Sequence, residues 1–326
     1  MSDEIRSLVV TEEDRLLFKR LDLFLVSKLN DISRSLIKKI FDNDDITSPL
    51  GTKLELKKMP LAGTIIEIDI PPPLPTDIKA QNIPLEILYE DEWLIIINKK
   101  AGMCVHPAPG HPDQTLVNAI LFHCPDLKGI GQEKRPGIVH RLDLGTSGVM
   151  VVAKEQKTHE ELVTLFSTHD IEREYIAILW GKPTLPKGRI ETFYGRHPVS
   201  RLKMSAELKA GKKAITHYEL IKYHEKYKLS LMNFRLETGR THQIRVHASQ
   251  ILRTPLLNDA LYADVAGQKN KIDVDLLNIF KDYPYPFLHA KVLGFIHPKT
   301  KQALRFKTLP PEQFTQVMDQ LLSSVN

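Results

Sequence analysis

The sequence predicts an α+β protein: a large domain on a mixed, mostly antiparallel sheet, preceded by a small α/β domain. Three observations carry that expectation. Beyond Glu172 strand-like segments follow one another at hairpin spacing, where alternating βαβ units would insert a helix after each strand. The stretch PPPLP, Pro71 to Pro75, can continue neither sheet nor helix and reads as a stiff linker. At 326 residues the chain is long enough for a large and a small domain, taking about 150 residues per domain. The expected division is 15–70, a linker over 71–83, and 84–326.

In the first part, RLDLFLVSKLN reads as a helix with Leu21, Phe24 and Leu25 on one face. Ser33 is placed to cap a second helix that turns Leu36, Ile37 and Ile40 inward and leaves Lys38 and Lys39 outside. TKLELKKM and GTIIEIDI follow with the period-two alternation of strands. In the second part, strands are expected at LEILYEDEWLIIINK, EREYIAILWG, GRIETFYG, AITHYELIKY, YKLSLMNFRLE, FLHAKVLGFIH and ALRFKTL. Helices are expected at TLVNAILFHC, KTHEELVTLFSTHD, THQIRVHASQIL and PEQFTQVMDQLLSSV.

Composition narrows the class. With 42% apolar and 26% charged residues the chain can build a core, which argues against pervasive disorder. A net charge of +5 and a pI near 8.9 permit a polyanionic partner without requiring one. Two cysteines, Cys104 and Cys124, are too few for a disulfide framework and fit a reducing cytoplasm. The acidic start MSDEIRSLVV is unlike a signal peptide, and no run is long enough to span a bilayer.

Two polar clusters could carry chemistry. In RPGIVHRLDLGTSGVMVVAK, Asp143 falls in the connection between a strand end at Gly137 to His140 and a buried-looking strand at Val149 to Ala153. Gly145 and Gly148 allow backbone conformations that side chains disfavour. A carboxylate held by a sheet yet open to a cleft suits catalysis, although on residue types alone an ordinary Asp-containing turn is the simpler account. In LETGRTHQIRVHASQ, Arg240 stands at a strand-to-helix junction, and His242, Arg245 and Ser249 recur at helical spacing. Arg245 there could pair with a buried carboxylate and favour its ionised form; a solvent-facing basic helix explains the same residues equally well.

Other chemistries find less support. Cys104, His106 and His111 lack the second ligand pair of a zinc site. There is neither a GxxxxGK[ST] phosphate loop nor a GxSxG nucleophile. The basic stretch RLKMSAELKAGKK offers Arg201, Lys203, Lys212 and Lys213 as phosphate contacts, or simply as a solvated loop.

Taken together, these segments resemble the RluA family of pseudouridine synthases, from about Pro84 to Pro310. NKKAGMCVHP resembles the family's first motif, with Lys100 where proline is common, and HRLDLGTSGVMVVAK matches the catalytic motif. EREYIAILWG supplies the tyrosine, LETGRTHQIRVH the arginine motif, and LHAKVLGFIHP completes the order; PLLNDALY has Asn258 where glycine is usual. RLDLFLV with SRSLIKKIFDNDDIT resembles a ribosomal-S-four-type RNA-binding domain.

The resemblance implies isomerisation of uridine to pseudouridine without cofactor or metal. Asp143 would act on the sugar, at the anomeric carbon or on the neighbouring proton, Arg245 would pair with it, and Tyr175 would stack on the uracil. A stacked uridine must first be extruded, and Arg141 would fill its space. His140, Thr146, Arg240, Arg201, Lys203, Lys212 and Lys213 are the further substrate-binding candidates. The implied partner is RNA, with large-subunit ribosomal RNA favoured over transfer RNA. No membrane is involved, and no feature demands more than a monomer. The rival classes are a non-catalytic RNA-binding protein and a nucleosidase that releases uracil.

Overall fold

The computed structural model describes residues 4–29, 34–42, 45–70, 78–108, 110–127, 130–132, 135–200, 202–265, 267 and 282–323. They belong to two compact units, 1–77 and 78–326. Pro71 to Pro75, Ser33 and Arg201 lie outside the described residues, as do the side chains of Leu36 and Lys39.

In the first unit, β1 (Glu4–Val9) is followed by α1 (Glu12–Leu17), α2 (Leu21–Lys28), α3 (Arg34–Asp42), β2 (Ile46–Thr47) and β3 (Ile65–Ile70). Both β1 and β2 pair antiparallel with β3, so the unit begins before residue 15, where the sequence reading started it. Thr11 and Asp14 form a reciprocal capping box that starts α1. Leu21, Phe24 and Leu25 are buried together with Ile37, Ile40, Ile66 and Ile68, the expected faces of α2 and α3. TKLELKKM forms no strand: the Leu56 carbonyl accepts from the Asp22 amide, and a turn closes from Glu55 to Lys58. Leu54 and Leu56 still pack on the core, so the alternation there reports burial without pairing.

The second unit carries β4 (Ile87–Glu90), β5 (Leu94–Lys99), α4 (Leu116–His123), β6 (Gly131–Gln132), β7 (Arg135–Pro136), β8 (Ser147–Ala153) and α5 (Gln156–Thr168). Then come β9 (Glu172–Trp180), β10 (Lys187–Arg196), β11 (Met204–Ser205), β12 (Lys212–His224), β13 (Leu229–Leu236) and α6 (Gln243–Val246). It closes with β14 (Leu288–Ile296), β15 (Ala303–Lys307) and α7 (Glu312–Ser323). Residues 78–83, read as linker from the sequence, belong here: the Asn118 side chain donates to the Lys79 carbonyl at 2.7 Å, and the Gln81 amide donates to the Asn118 carbonyl. The expected strand end at Gly137 to His140 reduces to the short β7 and a single bridge, Ile138 to Val152.

Among the described residues the main sheet has ten strands, ordered β11-β10-β12-β13-β9-β14-β8-β5-β4, with β15 added to β14. Its pairings are antiparallel except β14 with β8, the mixed, mostly antiparallel sheet that the hairpin spacing predicts. Helices cover both faces: Ile95, Ile97, Met150 and Val152 pack with α4 and α6, while Leu94, Ile96, Val149 and Val151 pack with Leu162 of α5. That two-sided burial explains why β8 reads as an unbroken apolar run. On α7, Phe314, Val317 and Leu321 pack against β9 and β13.

The parallel seam is tight. Ser147 and Gly148 face His289 and Ala290, Gly148 has φ +124°, and a Cβ there would lie 2.2 Å from the Ala290 carbonyl oxygen. Only glycine fits at that crossing.

Candidate functional site

The segment from His140 to Thr146 leaves the sheet just before this seam. Its turn closes with the Thr146 amide donating to the Asp143 carbonyl at 3.0 Å, and the Leu144 carbonyl accepts from the Gly102 amide at 2.8 Å. Lys99, buried at the end of β5, adds its ammonium: it donates to the carbonyls of Lys100 and Met103 at 2.9 Å and of Leu144 at 3.4 Å. Burial pushes its pKa down to about 7, against the opposing pull of Asp143 and Cys104. His140 accepts from the Val151 amide at 3.1 Å and stacks on Phe166 at 4.5 Å. Burial and the nearby Arg173 lower its pKa to about 3, so it is a neutral anchor between loop and strand. The loop is therefore tied from both sides.

The opposite wall is the turn from Thr238 into α6. Gln243 ties it down with all its amide capacity: Oε1 accepts from Thr238 Oγ1 and the Arg240 amide, and Nε2 donates to the Ile215 carbonyl and Thr216 Oγ1. The helix starts later than expected from the sequence, because His242 adopts φ 58°. Beyond Val246 the helix widens into a π turn, His247–Ile251.

Between these walls lies a cleft of about 640 Å³ lined by Asp143, Tyr175 and Arg245 and also by His140, Arg141, Thr146 and Arg240. Arg141 is exposed at its mouth and Thr146 is buried. Five arginines line the cleft (135, 141, 173, 240 and 245), whereas Asp143 is its one acidic lining residue among those described. A pocket of that sign attracts a polyanion. Lys203, Lys212 and Lys213 do not line it. Lys203 closes the hairpin after β10 through its backbone, and Lys213 pairs with Glu191 at 3.0 Å. The Arg240 side chain donates to the Lys213 carbonyl at 3.1 Å.

The expected pairing of Arg245 with Asp143 is present but is the longer of two. Its Nε and Nη2 form a two-pronged pair with Asp259 at 2.7 and 2.8 Å, while Nη1 stands 3.5 Å from Asp143 Oδ2. Asp259 is fully buried and also accepts from the amides of Leu261 and Tyr262. Burial opposes the charge of Arg245, but the hydrogen bonds and charge of Asp259 override it and raise the guanidinium pKa. Arg245 also lies over the Tyr262 ring at 5.1 Å. Nothing local in PLLNDALY marks Asp259, whose partner Arg245 lies 14 residues earlier in the chain, whereas its neighbour Asn258 stands out by occupying a glycine position. That residue has φ 59°, a region asparagine tolerates in place of glycine, and its side chain donates to the Tyr283 carbonyl at 2.8 Å.

Around Asp143, whose side chain keeps 18% of its exposure, His242 is a second basic neighbour: its Nε2 lies 4.0 Å from Oδ1. Its Nδ1 is 2.9 Å from the Tyr262 hydroxyl. Tyr175 lies on β9 opposite Phe234 and Ala290. Burial raises its pKa, with Arg173 opposing and Asp143 adding, so the phenol is neutral. Outside the cleft, Glu90, His123 and Cys124 bring potential metal ligands within 4.8 Å of one another. Glu90 there already has the Lys154 ammonium at 2.7 Å as counter-charge.

Comparison with known proteins gives a consistent picture. Residues 93–250 match the family model described as RNA pseudouridylate synthase. An RNA pseudouridine synthase of Synechocystis sp. is 41% identical over 97% of this chain and 94% of its own. A protein of Zymomonas mobilis named ribosomal large subunit pseudouridine synthase D is 40% identical over 97% of this chain and 98% of its own. Among solved structures, human RNA pseudouridylate synthase domain containing 4 superposes with a TM-score of 0.56 at 25% identity, covering 74% of this chain and 95% of that one.

Proposed function

The chain belongs to the RluA family of RNA pseudouridine synthases, which isomerise uridine to pseudouridine, and from that premise we propose that it acts on large-subunit ribosomal RNA through the carboxylate of Asp143. The observation that carries the catalytic reading is a partly exposed carboxylate, backed by Arg245 at 3.5 Å, on the wall of a cleft whose five arginines face this single acidic group among the described residues. The choice of RNA is supported by relatives from Zymomonas, Xylella and Vibrio whose names specify the ribosomal large subunit.

The chemistry balances within the substrate. The bond from uracil nitrogen to the anomeric carbon breaks, the base turns, a ring carbon bonds the same sugar carbon, and the ring exchanges a carbon-bound proton for a nitrogen-bound one. Asp143 acts on the sugar as an ionised carboxylate, with Arg245 supplying the opposite charge. Arg245 is held for this by Asp259. Tyr175, neutral in its buried position, packs on the extruded base, and Arg141 at the cleft mouth fills the space it leaves in the RNA. Arg240 holds phosphate at the cleft wall, while Lys203, Lys212 and Lys213 reach phosphates further out; Arg201, outside the described residues, is a further phosphate candidate. His140 and Thr146 serve by fixing the loop.

The 15–70 region works as a ribosomal-S-four-like RNA-binding domain. Among the described residues no helix is long and apolar enough to cross a membrane, and the proposed working place is the cytoplasm.

The test maps pseudouridines in ribosomal and transfer RNA from cells carrying the intact gene, a deletion, or an Asp143→Ala copy. Specific large-subunit uridines are expected to lose the modification in both altered strains. Loss confined to transfer RNA overturns the substrate, and full modification with Asp143→Ala overturns the role of the aspartate.

A further inference from the structure

We infer that His242 and Asp143 together read the 2′-hydroxyl of the target ribose, the aspartate accepting its proton and the histidine donating to its oxygen. The inference rests on the reading of Asp143 given above and adds a residue with a different task.

The tautomer of His242 follows from its neighbours. The Tyr262 hydroxyl carries one hydrogen. It accepts from the Met204 amide at 2.9 Å, and its other partner is His242 Nδ1 at 2.9 Å. With Nδ1 as the acceptor the Tyr262 proton has a partner, whereas with Nδ1 as the donor no described contact receives that proton; we assign the first arrangement, in which the neutral imidazole carries its own proton on Nε2. Burial keeps the ring below its ordinary pKa, against the pull of Asp143. The result is a donor, Nε2–H, set 4.0 Å from an acceptor, Asp143 Oδ1. The neighbouring oxygen, Oδ2, faces Arg245.

A separation of 4.0 Å is too long for a hydrogen bond, but a single oxygen can sit about 2.8 Å from both atoms. That oxygen must accept from the imidazole and donate to the carboxylate, which a water does in the unbound enzyme and, among the oxygens of a bound nucleotide, a hydroxyl does while an ether, a carbonyl or an esterified oxygen does not. Asp143 acts at the anomeric carbon or at the carbon beside it. The hydroxyl attached there is the 2′-hydroxyl, since the 3′ oxygen is esterified within the chain. This is also the group that separates RNA from DNA.

The experiment uses the ribosomal fragment containing the mapped uridine, prepared all-ribo and with a single 2′-deoxyuridine at the target. Single-turnover kcat/KM and RNA affinity are measured for both. The unaltered enzyme is expected to favour the ribo substrate by about 100-fold, since the deoxy analogue leaves a donor and a charged acceptor unpaired. His242→Ala should cut that preference to less than about 10-fold, and His242→Gln, whose amide still donates, should restore part of it. Tyr262→Phe removes the lock on the tautomer and should lower the preference while the chain stays folded. If His242→Ala is inactive on both substrates, the ratio of the two affinities is the deciding readout. An undiminished preference in His242→Ala, or none in the unaltered enzyme, overturns the inference. When Asp143→Asn is inactive in the same assay, that outcome leaves the role of Asp143 standing; an active Asp143→Asn overturns the earlier reading itself.

Discussion

The cleft and the outer hairpins of β10 to β12 both present charged side chains, yet they are built in opposite ways. In the cleft the parts nearest Asp143 are fixed by buried groups: Asp259 holds Arg245 with two bonds, Lys99 and Gly102 hold the Leu144 carbonyl, and Gln243 holds the turn before α6. On the hairpins, Lys212 and Lys213 are exposed, and the Lys213–Glu191 pair leaves both side chains open to water. Positioning an atom for chemistry demands a surrounding that over-determines it. Attracting a polyanion demands only charge within reach.

That contrast can be broken or sharpened by substitution. The largest effect is expected at Gly148→Ala. The methyl group would strike the Ala290 carbonyl, and φ +124° is hostile to a side chain, so destabilisation of about 5 kcal/mol or more should appear in urea unfolding. A variant that unfolds like the parent would mean the seam yields easily. Asp259→Asn comes next: removing one partner of a buried pair costs about 3–5 kcal/mol, and pseudouridine formation should fall by about 100-fold or more as Arg245 loses its hold. Glu191→Gln, at the exposed Lys213 pair, should change stability by less than about 1 kcal/mol. Equal costs at the two pairs would erase the distinction.

Lys99 gives a smaller effect with a definite sign. Its folded pKa of about 7 lies below the unfolded value of about 10.4, so between those values the unfolded chain binds more protons. Its contribution to stability therefore rises with pH from about 7 to about 10, at no more than about 1.4 kcal/mol per pH unit. Unfolding measured at pH 7 and 9 should show this gain in the parent and not in Lys99→Met; identical pH dependence would place the ammonium in water. The smallest effects belong to Lys203→Ala and Lys212→Ala. Each should weaken RNA binding a few-fold and lower the slope of log affinity against log salt by at most about 0.9, leaving the single-turnover rate at saturating RNA unchanged. A loss of rate would bring these lysines into the site.

Much of this could be read from the residue pattern because local signals and burial agree. The run VMVVA had to be a strand covered on both faces, and α2 had to bury Leu21, Phe24 and Leu25. Where a pattern had two physical meanings, the reading went astray: the alternating leucines of TKLELKKM report burial against a core and not strand pairing.

By itself the sequence determined the α+β class, the hairpin-linked sheet, and the presence of Asp143, Tyr175 and Arg245 in segments whose combination resembles one enzyme family. Periodicity and turn chemistry are local properties, and a motif is a local string. Only the tertiary structure decided that Arg245 belongs first to Asp259, that Lys99 ties the Asp143 loop, and that Lys203, Lys212 and Lys213 stand outside the cleft. Arg245 and Asp143 are 102 residues apart, and Lys99 and Leu144 are 45 apart. Which of several arginines meets which of several carboxylates depends on how strands align across the sheet, and one parallel crossing at Gly148 sets that alignment beside the cleft.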